Sequence, residues 1–345
     1  MDAVHNGVMP RTELAVHPPL NRLIPPGRFL MTPTLYPLVQ GAHLTPLAPD
    51  APACVAKRSV LGHDAGEALL VQPGFEAAPA LHALCAQAAR EHPQAWSWDG
   101  QEARAARLGW AVSVQGRLRA MEGADAATGE VLAALPTEWR LAGLLALAFE
   151  EDLAVLDGTS GCVPWMAVCL PSFWVPREKI GLHFTAIHAP VADNTLLMQQ
   201  AARRIDQVTQ GAAHERFVWT LTSHALLDAH PVRAARHPWP THLSPQALMQ
   251  RTWFRHERQT FLPLPSSRQA MFTIRVRVQP LTEALHTLPG LAERLHHALA
   301  TMSEAVLAYR GLTPVRDMLL EGLAWAAGIP HDPGESVAGG GHNLG

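Results

Sequence analysis

The amino-acid sequence predicts an α+β fold, on two observations. Helical stripes, then a strand, a further helix, three strands and two closing helices follow one another without the strict alternation of a doubly wound sheet. No G-x-G-x-x-G follows a strand, no G-x-x-x-x-G-K-[ST] occurs, and "GGGH" at 339–342 lies in the last residues, so the usual nucleotide-binding α/β signatures are missing. With 345 residues, 48% of them hydrophobic and 17% charged, the chain can bury a large core and is not expected to be disordered. We divide it into a Pro-rich N-terminal arm over 1–50, a single domain over 51–330 with its core at about 150–285, and a flexible Gly-rich tail over 331–345.

The elements follow in order. Residues 1–50 carry nine of the 29 prolines and little periodicity, as an extended arm wrapped over the body would. "PALHALCAQAAREH" sets Leu81, Leu84, Cys85 and Ala88 on one helical face and stops before Pro93. "RLAGLLALAFEEDLAVL" predicts a buried helix that turns acidic at Glu150, Glu151 and Asp152, which are expected to face solvent. "CVPWMAVCLPSFW" reads as a Pro-broken strand. Asp193 or Asn194 can cap a helix reaching about Gln210, where Gly211 ends it. "RFVWTLTSH", "RTWFRHERQTFLPL" and "AMFTIRVRVQPL" predict three strands of a mostly antiparallel sheet. Helices are expected over 289–309 and 314–327.

Composition excludes several partners. Against 27 Lys and Arg stand 30 Asp and Glu, a net charge of −3, so no broad field favours nucleic acid or an anionic membrane. Cys54, Cys85, Cys162 and Cys169 form no C-x-x-C pair and are read as reduced. Residues 1–30 lack an apolar stretch of roughly 7–15 residues with a small-residue cleavage site, which predicts no secretory leader and a cytoplasmic location. The apolar windows at 141–149 and 163–175 are too short to cross roughly 30 Å of hydrocarbon.

Three stretches could carry chemistry. Residues 170–191 place Lys179, His183 and His188 in an apolar, Pro-bounded setting, and imidazole is a common nitrogen donor to iron; a core histidine bonded to backbone is the bland alternative. Zinc is disfavoured, since neither H-E-x-x-H nor a finger-like Cys/His spacing is present. Residues 251–260 alternate Arg255, Glu257 and Gln259 with His256, Arg258 and Thr260, so one polar face of that strand either lines a pocket or holds an internal ion pair. Arg275 and Arg277 offer guanidinium forks suited to carboxylates.

Together these stretches resemble the heme-dependent oxidative N-demethylase family. The residues that carry the resemblance are "EEDL" ending at Leu153, "LPSFW" and "KIG…AIHAPV" within 170–191, "RHERQTFLPLP" at 255–265 and "FTIRV" at 272–276. The resemblance implies a PAS-like antiparallel sheet that binds heme b and is surrounded by helices. It implies an iron enzyme, a monooxygenase that uses O2 to remove a methyl group from a small secondary amine such as dimethylamine. Electrons would come from a separate reductase subunit carrying FMN, a 2Fe-2S cluster and an NADPH site. This agrees with the lack of nucleotide motifs here. By the same resemblance His188 is the proximal iron ligand. Lys179 and Arg275 are candidates to pair with the heme propionates. Glu257, Arg258 and Thr260 are candidates for proton relay and hydrogen bonding in catalysis. The His- and Pro-rich segment between Trp219 and Arg251 departs from the family pattern. The alternative reading is a heme-based PAS-like sensor or carrier, although no output domain is evident.

Overall fold

The computed structural model describes residues 18–31, 34–39 and 41–329. Part of the expected N-terminal arm and the whole expected Gly-rich tail therefore lie outside the described residues. Eleven strands are present among those described: β1 (Tyr36–Pro37), β2 (Leu69–Val71), β3 (Trp96–Trp98), β4 (Glu102–Ala105), β5 (Trp110–Ser113), β6 (Leu118–Ala120), β7 (Asp152–Asp157), β8 (Trp165–Ala167), β9 (His214–Thr222), β10 (Trp253–Leu264) and β11 (Gln269–Pro280). They form a seven-stranded antiparallel sheet, in the order β1-β9-β10-β11-β7-β8-β2, and a four-stranded meander β3-β4-β5-β6. Mixed helices and antiparallel sheets are the α+β arrangement that the sequence predicts. No helix among the described residues is long and apolar enough to cross a membrane.

The long hairpin β10-β11 is the spine of the large sheet, paired over its whole length from Trp253↔Pro280 to Leu264↔Gln269. A 3-10 turn, Pro265–Ser267, and Arg268 in the left-handed region close it. Side chains on a strand alternate between faces, and paired residues of neighbouring strands share a face. One face therefore carries Arg255, Glu257, Gln259 and Phe261 with Arg216 of β9 and Phe272 and Ile274 of β11. The other carries Phe254, His256, Arg258 and Thr260 with Phe217 and Trp219 of β9 and Thr273 and Arg275 of β11. On this second face Phe217, Trp219, Leu221 and Phe254 share a core with the C-terminal helices Leu281–Thr287, Leu291–Thr301 and Arg316–Ala327. On the first face Phe261, Ala270 and Leu156 pack against Ile205 and Val208 of the helix Ala201–Gln210.

Several elements differ from expectation for identifiable reasons. The expected helix from Arg140 stops at Ala148, and "DLAVLD" continues as the buried strand β7 between β11 and β8. A Leu/Ala run without β-branching reads as helix to any periodicity test, so the change at Phe149 is invisible locally. The expected helix to Gln210 is broken at Gln200 into Thr195–Gln199 and Ala201–Gln210. The acids expected in solvent are interior instead: Glu151 and Asp152 are each 1% exposed. The partner of Asp152 is Lys57, also fully buried, whose Nζ lies 3.3 Å from Asp152 Oδ1 and donates to the backbone carbonyls of Glu151 at 2.7 Å and Phe149 at 3.1 Å.

Glu151 accepts from the backbone N–H of Thr45 at 2.8 Å and from its hydroxyl at 2.9 Å, clasping the N-terminal segment to the sheet. Burial is the main cause that raises its pKa to about 7; nearby Arg275 opposes the rise and Glu150 adds to it. A carboxyl whose folded pKa lies above its unfolded value keeps more protons in the native state, so this group lowers stability as pH rises from about 4.5 to about 7. Glu151→Gln should remove that slope. Over this window wild-type stability should fall by roughly 3 kcal/mol relative to the variant, measured by urea denaturation across pH. Parallel curves for the two proteins would refute the assignment.

Candidate active site

The segment 170–191 crosses the face of the sheet that bears Glu257. It begins at Pro171–Phe173, tied to Ala229 by two backbone hydrogen bonds that hold Phe173 at a left-handed φ of 64°. Such a φ is costly for a non-glycine residue and persists only where its surroundings enforce it. Arg255 does part of that enforcing. Only 1% exposed, it donates from Nε and Nη2 to Ser172 Oγ (2.9 and 2.7 Å), from Nη1 to the Leu226 carbonyl and from Nη2 to the Leu227 carbonyl. Ser172 in turn donates its one hydroxyl proton to Glu257 Oε1. Glu257 Oε2 accepts from Gln259 Nε2 at 2.6 Å, and Gln259 Oε1 accepts from Arg216 Nε at 2.5 Å. One polar chain thus runs Arg255, Ser172, Glu257, Gln259, Arg216 along the sheet face.

His188 stands near the far end of that chain, closing the short helix Phe184–His188. Its Nδ1 lies 2.8 Å from the carbonyl of Phe184, a group that can only accept, so the proton sits on Nδ1. Its ring lies 4.2 Å from the Phe184 ring, and Asn194 Nδ2 donates to its carbonyl at 2.9 Å. Burial above all lowers its pKa to about 4, Arg216 and Lys179 push the same way, and the Phe184 carbonyl opposes. At neutral pH His188 is therefore an uncharged imidazole, and no hydrogen bond from the described residues occupies Nε2. His183 plays a structural part, since its Nδ1 accepts from the Thr185 N–H and caps the same helix.

Beside Phe184 lies a small cavity of about 20 Å3, room for about one water, lined by Leu156, Ile205, Val208 and Phe261 and by the apolar parts of Arg216 and Arg204. A cleft of about 260 Å3, just below the usual range for a small-molecule site, shares Arg204 and Leu35 with it and adds Gln200, Arg203 and Gln207. His188 sits one ring away from this space, behind Phe184.

The residues singled out from sequence divide between the two faces. Glu257 shares the sheet face toward which His188 and Arg216 are turned, and Lys179 is close enough for its charge to act on His188. Arg258, Thr260 and Arg275 lie on the opposite face. There Arg258 donates to Glu215 at 2.9 Å and to the Ala42 carbonyl at 2.8 Å, and Thr260 bonds His43 Nδ1 and the Thr273 hydroxyl. Arg275 donates to Thr45 Oγ1 and lies 3.7 Å from Glu150. All three hold residues 42–45 to the sheet. Sequence reasoning puts Arg255 and Gln259 on a polar strand face without assigning them a role, and it does not single out Ser172 and Arg216. Alternation in "RHERQT" already places 255, 257 and 259 together, but only the strand pairing adds Arg216.

The family model for haem-dependent oxidative N-demethylase, alpha subunit-like proteins matches residues 54–320. The chain belongs to this family. Whether the residues of this N-demethylase alpha-subunit-like chain suit a heme is tested by their donor chemistry. A histidine that ligates heme iron must be a neutral imidazole with a bare nitrogen, its other N–H commonly fixed by a hydrogen bond, which is the state of His188. Among the described residues no three His, Cys, Asp or Glu side chains converge to hold a free metal ion. In its donor chemistry His188 fits the group.

Proposed function

We propose that this chain is the heme-binding subunit of an oxidative N-demethylase, with a PAS-like core formed by β7 to β11, acting in the cytoplasm on a small secondary amine of the dimethylamine class. The reaction consumes one O2, two electrons and two protons and yields the primary amine, formaldehyde and water. Heme b, when bound, supplies the iron that activates O2. A separate subunit with FMN, a 2Fe-2S cluster and an NADPH site supplies the electrons, which this chain has no motif to collect. The observation that carries the reading is His188, whose Nδ1–H is committed to Phe184 and whose Nε2 is uncommitted.

The chain's own groups have distinct roles in this reading. His188 would hold the iron through Nε2. Glu257 is 8% exposed and fixed by Ser172 and Gln259, so its carboxylate holds or passes a proton with little reorganisation, a role worth roughly 10²–10⁴-fold when it is general acid–base catalysis. Lys179 contributes positive charge at the His188 side. Arg258, Thr260 and Arg275 would act on the reaction only through the sheet, by positioning it.

The test is reconstitution of the full chain with hemin, followed by turnover of dimethylamine with an electron source under O2. A Soret band with one formaldehyde per amine consumed is the expected result. A Soret band without formaldehyde, and with a spectrum that amines leave unchanged, would instead favour a heme-based sensor or carrier. A chain that remains colourless would end the proposal.

A further inference from the structure

The polar chain on the Glu257 face ends in an arginine on either side, and an arginine can only donate. Arg255 fills both lone pairs of Ser172 Oγ from Nε and Nη2, so the one hydroxyl proton of Ser172 is left for Glu257 Oε1. At the other end Arg216 Nε donates to Gln259 at 2.5 Å, a bond the amide can meet only with its oxygen. That orients the amide at its second contact, where Nε2 donates to Glu257 Oε2 at 2.6 Å. Neither Ser172 nor Gln259 can turn round, because a guanidinium fills each from behind. Every hydrogen bond of the chain therefore runs inward and ends on one carboxylate.

Glu257 in consequence receives on both oxygens and gives from neither. A proton that joins it can sit only on a lone pair turned away from Ser172 and Gln259. Its cross-strand neighbours, Val218 on β9 and Val276 on β11, have apolar side chains and offer no further donor. Gln259 is buried, so solvent is a poor substitute for its amide. The carboxylate is thus held by two side chains whose direction is dictated from outside it.

We propose that Gln259 is a positioning residue that, together with Ser172, sets Glu257 as the proton acceptor of the site and not as a resting proton donor. This rests on the N-demethylase reading above, in which Glu257 holds or passes a proton, and adds the direction of that transfer. An alkylamine carries a proton near neutral pH, as the lysine ammonium does, and its nitrogen lone pair is free only once that proton is gone. In the step assigned to Glu257 the N–H bond of the ammonium breaks, the pair stays on nitrogen, and the O–H bond forms on a lone pair that neither Ser172 nor Gln259 occupies.

The experiment exchanges the two residues in the full-length chain. Gln259→Glu keeps the shape and reverses one bond, so that two carboxyls face each other, and such a pair shares a proton. At neutral pH its apoprotein should show the infrared absorption of a protonated carboxyl beyond any that wild type shows, with a lower urea midpoint. Glu257→Gln combined with Gln259→Glu restores each bond in its original direction: Ser172 to the amide oxygen at 257, the amide nitrogen there to the carboxylate at 259, and Arg216 to that carboxylate. The double variant should lose the extra absorption and regain the wild-type midpoint and hemin affinity. Its kcat for formaldehyde release from dimethylamine should nevertheless stay about 10²-fold or more below wild type, because the acceptor has moved. A Gln259→Glu protein without the extra absorption, or a double variant no more stable than it, would refute the hydrogen-bond direction. A double variant with wild-type kcat would refute the acceptor assignment while the N-demethylase reading stands. If Gln259→Glu does not fold, Gln259→Met decides: kcat should fall about tenfold with hemin affinity and KM unchanged, the worth of one buried hydrogen bond to a charged group, and an undiminished kcat overturns the proposal. Wild-type protein that binds hemin and releases no formaldehyde overturns both.

Discussion

Alanine at position 188 should leave a folded chain that no longer retains heme. The imidazole lies at the end of a five-residue helix and contributes one backbone hydrogen bond, so its loss does little to the fold. Its loss as an axial donor should be severe, because even partners that merely orient a ligand change affinity by about 10–100-fold. Hemin affinity should drop by more than about a hundredfold, near 3 kcal/mol, read at the Soret band. Free imidazole should restore part of the spectrum by entering the space left behind. His183→Ala is the control: it removes a helix cap worth about 1 kcal/mol and should leave the spectrum alone. The pH dependence follows from the same geometry. With its pKa lowered to about 4, His188 stays deprotonated through the range in which an ordinary histidine, near 6.5, would be losing its lone pair to a proton. The apoprotein keeps the corresponding stability above about 6.5 and loses it as pH falls toward 4. Identical ferric and ferrous spectra for His188→Ala and wild type would show that another residue holds the iron.

Arg255→Met should cost about 3–5 kcal/mol of folding stability, the range found when one member of a buried charged network is removed. The guanidinium holds Ser172 and the carbonyls of Leu226 and Leu227 at once, and burial alone lowers its pKa to about 10 against the pull of Glu257, Asp228 and Asp152. Without it three acceptors lose their donor inside the protein and Phe173 loses the cation beside its ring. Chemical denaturation gives the number, and Arg251→Ala, at an exposed position just before the same strand, should stay within about 0.5 kcal/mol of wild type. A loss below about 1 kcal/mol for Arg255→Met would mean that the network relaxes around the gap.

What could be read from sequence was what short-range spacing encodes. The stripe Leu81, Leu84, Cys85 and Ala88 became the buried face of the helix Ala78–Glu91, and the hairpin strands fall close to where alternation put them. The four-stranded meander was not anticipated, because strands of three or four residues such as "EARA" have neither length nor β-forming side chains to announce them. The inward acids illustrate a second limit. "FEEDL" looks like a solvated helix end, and its burial is made tolerable by Lys57 at Asp152 and Thr45 at Glu151, both far earlier in the chain. The candidate site shows a third. Glu257, Arg258 and Thr260 are neighbours along one strand, yet a period of two sends Glu257 to the side of His188 and the other two to the side of His43. Which side faces the ligand is decided by what covers each face, and that information lies in the segments 34–45 and 170–210.

The arrangement of strands also bears on how copies of this chain meet in concentrated solution. The two twelve-residue strands, with their long rails of amide and carbonyl groups, are interior, while the outermost strands are the two-residue β1 and the three-residue β2. β1 includes a proline, and Arg310 occupies the Trp219 carbonyl farther along β9. Little template therefore remains for a second molecule to extend the sheet, the route by which exposed margins seed fibrils.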